Sequence, residues 1–371
     1  MLTERQELKV ELFNQGIQIT DRAREAIQGT EKRPLSTGDY ASTSGVLLDL
    51  GQDIYTNAPI VDNNSNFVTE DTPHKLDFDN DHFVVRTGDR EIQVMYIPVP
   101  GYFDKLNPKG EPYKLLAVTH IDRVRISPIE GCAIACQFCN IPYEFKYKQH
   151  GVEDLVDAVR VAAEDQILPA QHVLISGGTP KPEDYGYEND VYKQVASSLP
   201  RLDVDIMMAP VNDLLDPKVL KEIGVHGLAI NLELFNPEIA KKKARGKYDI
   251  GREKYLKFID ECVKTFGPGR IRSLLMVGIE PMEDTLQGVR ALAERGCDPV
   301  LSPFRPDPIT PLRNELPPTV EFQKEIYQRA LDIVGVYSDV VIGPRCIPCQ
   351  HNTLAFPDGT DRFFRHVYKP S

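Results

Sequence analysis

The sequence predicts an α/β protein: a partial or complete (β/α) TIM-like barrel with an N-terminal β-rich extension. Three observations lead there. From about residue 120, short β-branched runs alternate with amphipathic stretches, the pattern of βα units that build a parallel sheet. The 371 residues accommodate one barrel of roughly 200–250 residues plus an extension. The residues that carry chemistry fall at the ends of the expected strands, where a barrel places its active site.

Residues 1–119 form the expected extension. Leu8-Lys-Val-Glu-Leu-Phe13, Gly45–Leu50, Phe83–Arg86 and Ile92–Ile97 read as strands, the last two joined by a turn at Gly88-Asp89. Asn57 to Asn66, rich in Asn and Asp, reads as a surface loop. The barrel core is expected over residues 120–310. Its strands are Arg123–Pro128, His172–Ser176, Val204–Ala209, Gly227–Leu234, Ile271–Gly278 and Pro299–Phe304, with Val340–Ile342 as one more. Val152–Gln166 and Arg252–Thr265 are amphipathic helices between them. Residues 311–371 supply a C-terminal helix and a cysteine-containing loop that closes the barrel.

Composition narrows the function. A formal charge of -12 and a pI near 5.2 argue against a nucleic-acid partner, because phosphate recognition needs a basic surface. A small-molecule or protein substrate is favoured. The run from Met1 to Glu7 is polar, and no apolar stretch reaches the roughly 18 residues of a membrane span. The expectation is a cytoplasmic protein whose thiols stay reduced.

The sharpest feature is the stretch Ile129-Glu-Gly-Cys-Ala-Ile-Ala-Cys-Gln-Phe-Cys-Asn140, with Cys132, Cys136 and Cys139 within eight residues directly after the first barrel strand. Three thiolates can hold three corners of a four-iron cluster and leave the fourth iron open for chemistry. A structural zinc site is the alternative, and it needs a fourth ligand. Gly177 and Gly178, followed by Thr179 and Pro180, end the second strand and leave the backbone bare for close approach by a ligand or for a tight turn. Asn231 and Glu233 alternate along Ala-Ile-Asn-Leu-Glu-Leu, so a strand there points both side chains into the barrel, where they suit ribose hydroxyls. They also read as a satisfied interior polar pair.

Arg305, fixed between prolines in Ser302-Pro-Phe-Arg-Pro306, is a candidate for a carboxylate, with Arg245, Lys247 and Arg252 as mobile alternatives. Glu280 reads as a hydrogen-bonding or helix-capping group. Cys346, Cys349 and His351 follow the last strand, so all these groups are expected at one mouth. The late cysteines fit a second iron–sulfur cluster or a zinc ion with His351, a redox dithiol, or a catalytic thiol. Cys262 and Cys297 lie outside this set and read as buried small hydrophobes.

The C-x3-C-x2-C spacing with Phe138 before the last cysteine resembles the signature of the radical S-adenosylmethionine superfamily. The resemblance covers roughly residues 120–355. It is strongest to the branch of biotin synthase and lipoyl synthase, through the cysteine loop, Gly-Gly-Thr-Pro, Asn-Leu-Glu and Ser-Pro-Phe-Arg-Pro. It implies a 4Fe-4S cluster on Cys132, Cys136 and Cys139. It also implies S-adenosylmethionine near Phe138, Gly177, Gly178, Thr179, Asn231, Glu233, Arg252 and Arg305, with the glycine segment meeting the methionine amino group. Reductive cleavage would give a 5'-deoxyadenosyl radical that takes hydrogen from a small molecule, in a rearrangement, carbon–carbon bond formation, dehydrogenation or sulfur insertion. The reductant would be an electron donor such as flavodoxin or ferredoxin. The chain departs from that branch in offering only Cys346 and Cys349 for a second cluster. Two other readings stay open: a non-catalytic iron–sulfur or zinc protein with a binding or electron-transfer role, and a radical maturase that modifies a peptide.

Overall fold

The computed structural model describes residues 2–31, 45–211 and 214–367. The chain opens with helix α1 (Glu4–Gln15), where a strand is expected at Leu8–Phe13. Thr3 caps it: the Thr3 hydroxyl accepts from the Gln6 amide and the Gln6 side chain accepts from the Thr3 amide, satisfying two end donors. The apolar residues that mimic strand alternation serve two cores. Leu8 and Leu12 pack into the core of the extension, and Val10 and Phe13 into that of the barrel.

After β1 (Gln18–Ile19) and α2 (Asp21–Glu31) come β2 (Gly45–Asp49), β3 (Tyr55–Pro59), α3 (Val61–Asn64), β4 (His74–Asp79), β5 (His82–Thr87) and β6 (Arg90–Ile97). They form a six-stranded sheet in the order β1-β4-β5-β6-β2-β3, with β5 and β6 pairing around the expected hairpin turn. The first residues of the segment expected as a surface loop, Asn57–Pro59, are instead in β3, every residue of which is buried, while Asp62, Ser65 and Asn66 are exposed. The reason is tertiary: β3 pairs with β2, and the Asn57 amide donates to the carbonyl of His351 at 2.7 Å.

A short helix α4 (Tyr113–Leu116) leads into the second sheet, which begins at β7 (Ala117–His120) and continues through β8 (Arg123–Ile126). An antiparallel arm, β9 (Ile129–Glu130) and β10 (Lys148–Gln149), brackets the cysteine loop and α5 (Ile141–Glu144). The repeating units follow as α6 (Val152–Ala163), β11 (His172–Ile175), α7 (Tyr185–Ser198), β12 (Asp203–Met207), α8 (Pro217–Glu222), β13 (Gly227–Ala229), α9 (Pro237–Lys243), α10 (Arg245–Ile250), α11 (Arg252–Phe266), β14 (Ile271–Val277), α12 (Met282–Ala293), β15 (Asp298–Pro303) and α13 (Val320–Val334). The sheet order is β15-β14-β13-β12-β11-β8-β7, parallel throughout except for β7. It is a partial barrel, an α/β fold with open edges.

Residues 340–342, expected as a further strand, are irregular. They run along the β15 edge: the Val341 amide donates to the Asp298 carboxylate at 3.0 Å and the Gly343 amide to the Pro299 carbonyl at 2.9 Å. Asp298 is further engaged by Arg345 at 2.6 Å, so side-chain pairing replaces a strand ladder there. No helix among the described residues is long and apolar enough to cross a membrane.

The strand alternation sets the interior. On β8, Val124 and Ile126 are buried in the barrel's hydrophobic core, while Arg123 and Arg125 line an internal cavity. On β14, Ile271, Leu275 and Val277 face the same core, and Arg272, Leu274 and Met276 face the cavity.

Candidate active site

The cavity holds about 300 Å³. Cys132, Cys136 and Cys139 all line it, together with Phe138, Gly177, Gly178, Thr179, Asn231 and Glu233, so the structure brings most of the expected group together. Gly131, at φ +75°, turns the chain out of β9. Gly178 then packs against the loop so closely that an added Cβ would lie 1.7 Å from the Gly131 carbonyl oxygen and 2.7 Å from the Cys132 Cα. The next residue fastens the contact: the Thr179 amide donates to Cys132 Sγ at 3.2 Å, and its carbonyl accepts from the Ala133 amide at 2.9 Å. Glycine at 178 is thus demanded by backbone proximity.

Burial pushes the Cys136 and Cys139 thiols up to about 12. A metal that binds them displaces those protons.

Beyond β13 the chain bends sharply, with Glu233 at φ +69°. Its amide and carbonyl still bridge to β14 through Leu274 and Met276, both at 2.8 Å. Asn231 Oδ1 accepts from the Leu274 amide at 3.1 Å. Lys247 reaches in from α10 and donates to the Asn231 carbonyl at 2.6 Å and to Glu233 Oε1 at 3.3 Å. Burial opposes the Lys247 charge, yet Glu233, Tyr255 and Cys136 together hold its pKa above the ordinary lysine value. Glu233 Oε2 is buried without a hydrogen-bond partner. Glu233 lines the cavity with one carboxylate oxygen held by Lys247, and a carboxylate so placed suits a ligand hydroxyl.

Other expected residues lie elsewhere. Arg305 does not line the cavity; it donates to the Asn57 carbonyl at 3.1 Å and sits over the Phe13 ring, tying barrel to extension. Arg252 donates to the Phe235 carbonyl at 3.2 Å and stacks on the Phe235 ring. Lys247 is the cation that enters the site. Glu280 braces the turn after Glu233, accepting from the Phe235 and Asn236 amides and the Thr285 hydroxyl. Cys262 and Cys297 are fully buried, as expected.

The late cysteines are not at the mouth. Cys349 Sγ lies 3.2 Å from His172 Nε2, and Cys346 Sγ 3.6 Å from the same atom. His172 opens β11 while Gly177 follows that strand, so this group forms the barrel floor, at the end opposite the Cys132 loop. The loop lies at the floor because, after α13, the chain meets β15 at its start, where the Val341 amide donates to Asp298 and the Gly343 amide to the Pro299 carbonyl, before the Leu354 amide reaches the Leu301 carbonyl farther up the strand. His351, expected as the third ligand, instead has Nδ1 on the Pro348 carbonyl at 2.9 Å and its ring beside His120. His172 takes that place.

Also missed were Arg123, Arg125 and Arg272, which line the lower cavity. The available signal was Arg-Val-Arg-Ile in a central parallel strand, where a continuous apolar run is the norm. Arg272 is paired with Asp205 at 2.7 Å, and burial of Asp205 is outweighed by Arg272 and His226, which hold its carboxyl well below the usual range.

Residues 126–293 match the family model of the radical SAM superfamily. The bacteriochlorophyllide c C-7(1)-hydroxylase of Chlorobaculum limnaeum is 27% identical over 161 residues, a match covering 37% of this chain and 40% of that protein. The chain thus spans less than half the length of that relative. Among solved structures, the FeFe-hydrogenase maturase HydG of Carboxydothermus hydrogenoformans aligns with a TM-score of 0.45 and 17% identity, over 60% of this chain and 54% of that one. A radical SAM methyltransferase from Sphaerobacter thermophilus aligns with a TM-score of 0.46 and 15% identity, over 76% and 81% of the two chains. The matched family implies a four-iron cluster and S-adenosylmethionine, and the loop that leaves β8, with its three cysteines on one cavity, is where the match begins: residues 126–293 carry the likeness to a radical SAM superfamily domain.

Proposed function

We propose that this protein is a radical enzyme in which a 4Fe-4S cluster reductively cleaves bound S-adenosylmethionine and the resulting 5'-deoxyadenosyl radical takes a hydrogen atom from a small molecule. The observation that carries the reading is the convergence of Cys132, Cys136, Cys139 and the half-paired Glu233 on one cavity at the C-terminal ends of the strands.

The residues divide the work. Cys132, Cys136 and Cys139 supply three thiolates for the cluster. Thr179 and Gly178 hold the Cys132 loop in register through backbone contacts. The Glu233 carboxylate accepts a ribose hydroxyl, while Lys247 holds it in place through its hydrogen bond to Oε1. Phe138, Met207 and Met276 wall the upper cavity and keep water from the radical. The substrate lies below them, toward Arg123 and Arg125, which favour an anionic group. A small one-electron donor such as flavodoxin or ferredoxin supplies the reducing equivalent.

The test is anaerobic protein given dithionite and S-adenosylmethionine, with iron, sulfide and 5'-deoxyadenosine measured. About four irons per chain and 5'-deoxyadenosine formation are expected. Iron without any 5'-deoxyadenosine would overturn the reading in favour of a non-catalytic cluster protein.

A further inference from the structure

We propose that His172, Cys346 and Cys349 bind a single zinc-class divalent ion at the barrel floor, with its fourth position open to the cavity for an anionic oxygen or sulfur donor. The three ligand atoms lie within 4.8 Å of one another and all three residues are buried. Distances decide between one ion and a cluster. Tetrahedral zinc with Zn–S near 2.3 Å and Zn–N near 2.0–2.1 Å requires an N···S edge of about 3.6 Å. His172 Nε2 lies 3.2 and 3.6 Å from the two sulfurs. Both N···S distances are near the single-ion value and all three ligand atoms lie within 4.8 Å of one another, whereas thiolates on different irons of a cluster stand farther apart.

The surroundings are built for ligation. Cys346 and Cys349 sit on one tight turn, where the Cys349 amide donates to the Cys346 carbonyl at 3.1 Å. Lys9, fully buried in α1, clamps the next segment by donating to the carbonyls of Gln350 at 2.8 Å and Ala355 at 3.1 Å. His172 Nδ1 faces Asp122 Oδ1 at 3.8 Å, and the His366 ring stacks on His172 at 3.9 Å. A carboxylate near the second nitrogen of a histidine favours the tautomer that leaves the first nitrogen free to ligate.

Among the described residues no fourth Cys, His, Asp or Glu joins the group. Three protein ligands and one open position is the pattern of a working rather than a closed site. Cys349 lines the same cavity as the Cys132 loop, with Arg123 and Arg125 beside it. The ion therefore anchors an anionic end of whatever occupies the cavity and points the remainder up toward the mouth.

The test separates this site from the radical site. A variant with Cys132, Cys136 and Cys139 all replaced by Ala is purified anaerobically and its zinc, iron and sulfide are measured. One zinc per chain without sulfide is expected; iron with stoichiometric sulfide, or no bound metal even after zinc is supplied, overturns the proposal. Cobalt(II) titrated into the metal-free triple variant should give one equivalent of tetrahedral bands with thiolate charge transfer. Adding Cys349→Ser or His172→Gln should weaken cobalt affinity at least tenfold, and unchanged affinity in both overturns the ligand assignment. Adding 2-mercaptoethanol should shift the cobalt bands through the fourth position; unmoved bands would mean a closed site and overturn that part. Because the unaltered floor carries the cobalt test, misfolding of a floor variant does not decide it.

Discussion

Replacing Gly178 by Ala tests how the cysteine loop is held. The added Cβ would lie 1.7 Å from the Gly131 carbonyl oxygen, and ordinary packing begins at 3.4 Å, so the two segments must separate by about 1.7 Å. Both partners are backbone, so no side chain can swing aside. The movement breaks the hydrogen bonds from the Thr179 amide to Cys132 and from the Ala133 amide to the Thr179 carbonyl. At about 0.5–1.5 kcal/mol each, their loss costs about 1–3 kcal/mol. That corresponds to roughly 5- to 150-fold weaker hold on the cluster, since about 1.4 kcal/mol is tenfold. The displacement also exceeds the roughly 0.5 Å that a catalytic constellation tolerates. The assay is iron and sulfide content after anaerobic reconstitution, with 5'-deoxyadenosine formation, on protein shown by circular dichroism to be folded. Gly177→Ala is the control, since its Cβ would meet only the Ile129 carbonyl oxygen at 3.3 Å, a few tenths of an ångström to relieve. A Gly178→Ala protein with full cluster content and normal cleavage, or equal damage from Gly177→Ala, would refute the reasoning.

Single replacements of Cys132, Cys136 or Cys139 by Ala should each abolish cluster binding and 5'-deoxyadenosine formation, and retained cleavage in all three would remove the cluster assignment. Glu233→Gln should weaken S-adenosylmethionine binding about 10- to 100-fold while iron content stays, from the roughly 1.5–3 kcal/mol of a charged hydrogen bond; calorimetry on the reconstituted protein checks this, and an unchanged Kd refutes the ribose role. Lys247→Met leaves the Glu233 charge buried without its partner and should cost about 3–5 kcal/mol in urea unfolding, most of it recovered on adding Glu233→Gln. Equal stability of the single and double variants would mean that the pair is not coupled. Glu188 is raised by burial from 4.5 to about 8, so the folded state keeps a proton that the unfolded chain releases near 4.5. The native state therefore loses stability as pH rises from 4.5 toward 8, and Glu188→Gln should flatten that slope in unfolding midpoints measured at pH 5 and 8. A wild-type midpoint that does not fall over this range would contradict the protonated state.

Local spacing carried much of this protein. The C-x3-C-x2-C loop, the glycine pair after β11 and the alternating Asn231 and Glu233 were legible because each is set within a few residues, by loop length or by the two-residue strand period. The partial barrel was legible because its units repeat in sequence order, so neighbours in the chain are neighbours in the sheet. Helix α1 was misread because a helix wedged between two cores shows apolar residues on two faces, which resembles alternation; the Thr3 and Gln6 capping pair was the local signal against it.

What remained hidden depends on residues far apart in the chain. Which cation enters the site could not be read from Arg252, Arg305 and Lys247 as residue types, because α10 aims Lys247 inward while Arg305 is claimed by the extension through Asn57, 248 positions away. The floor site was half visible as a cysteine pair, but its third member, His172, stands 174 residues before Cys346. Sequence alone determined the chemistry-bearing loop and the repeating scaffold, since these follow from local spacing and period. Only the tertiary structure decided that the late cysteines close the opposite end of the barrel, because after α13 the chain docks at the start of the open β15 edge through Asp298 and Pro299, and no local pattern encodes that path.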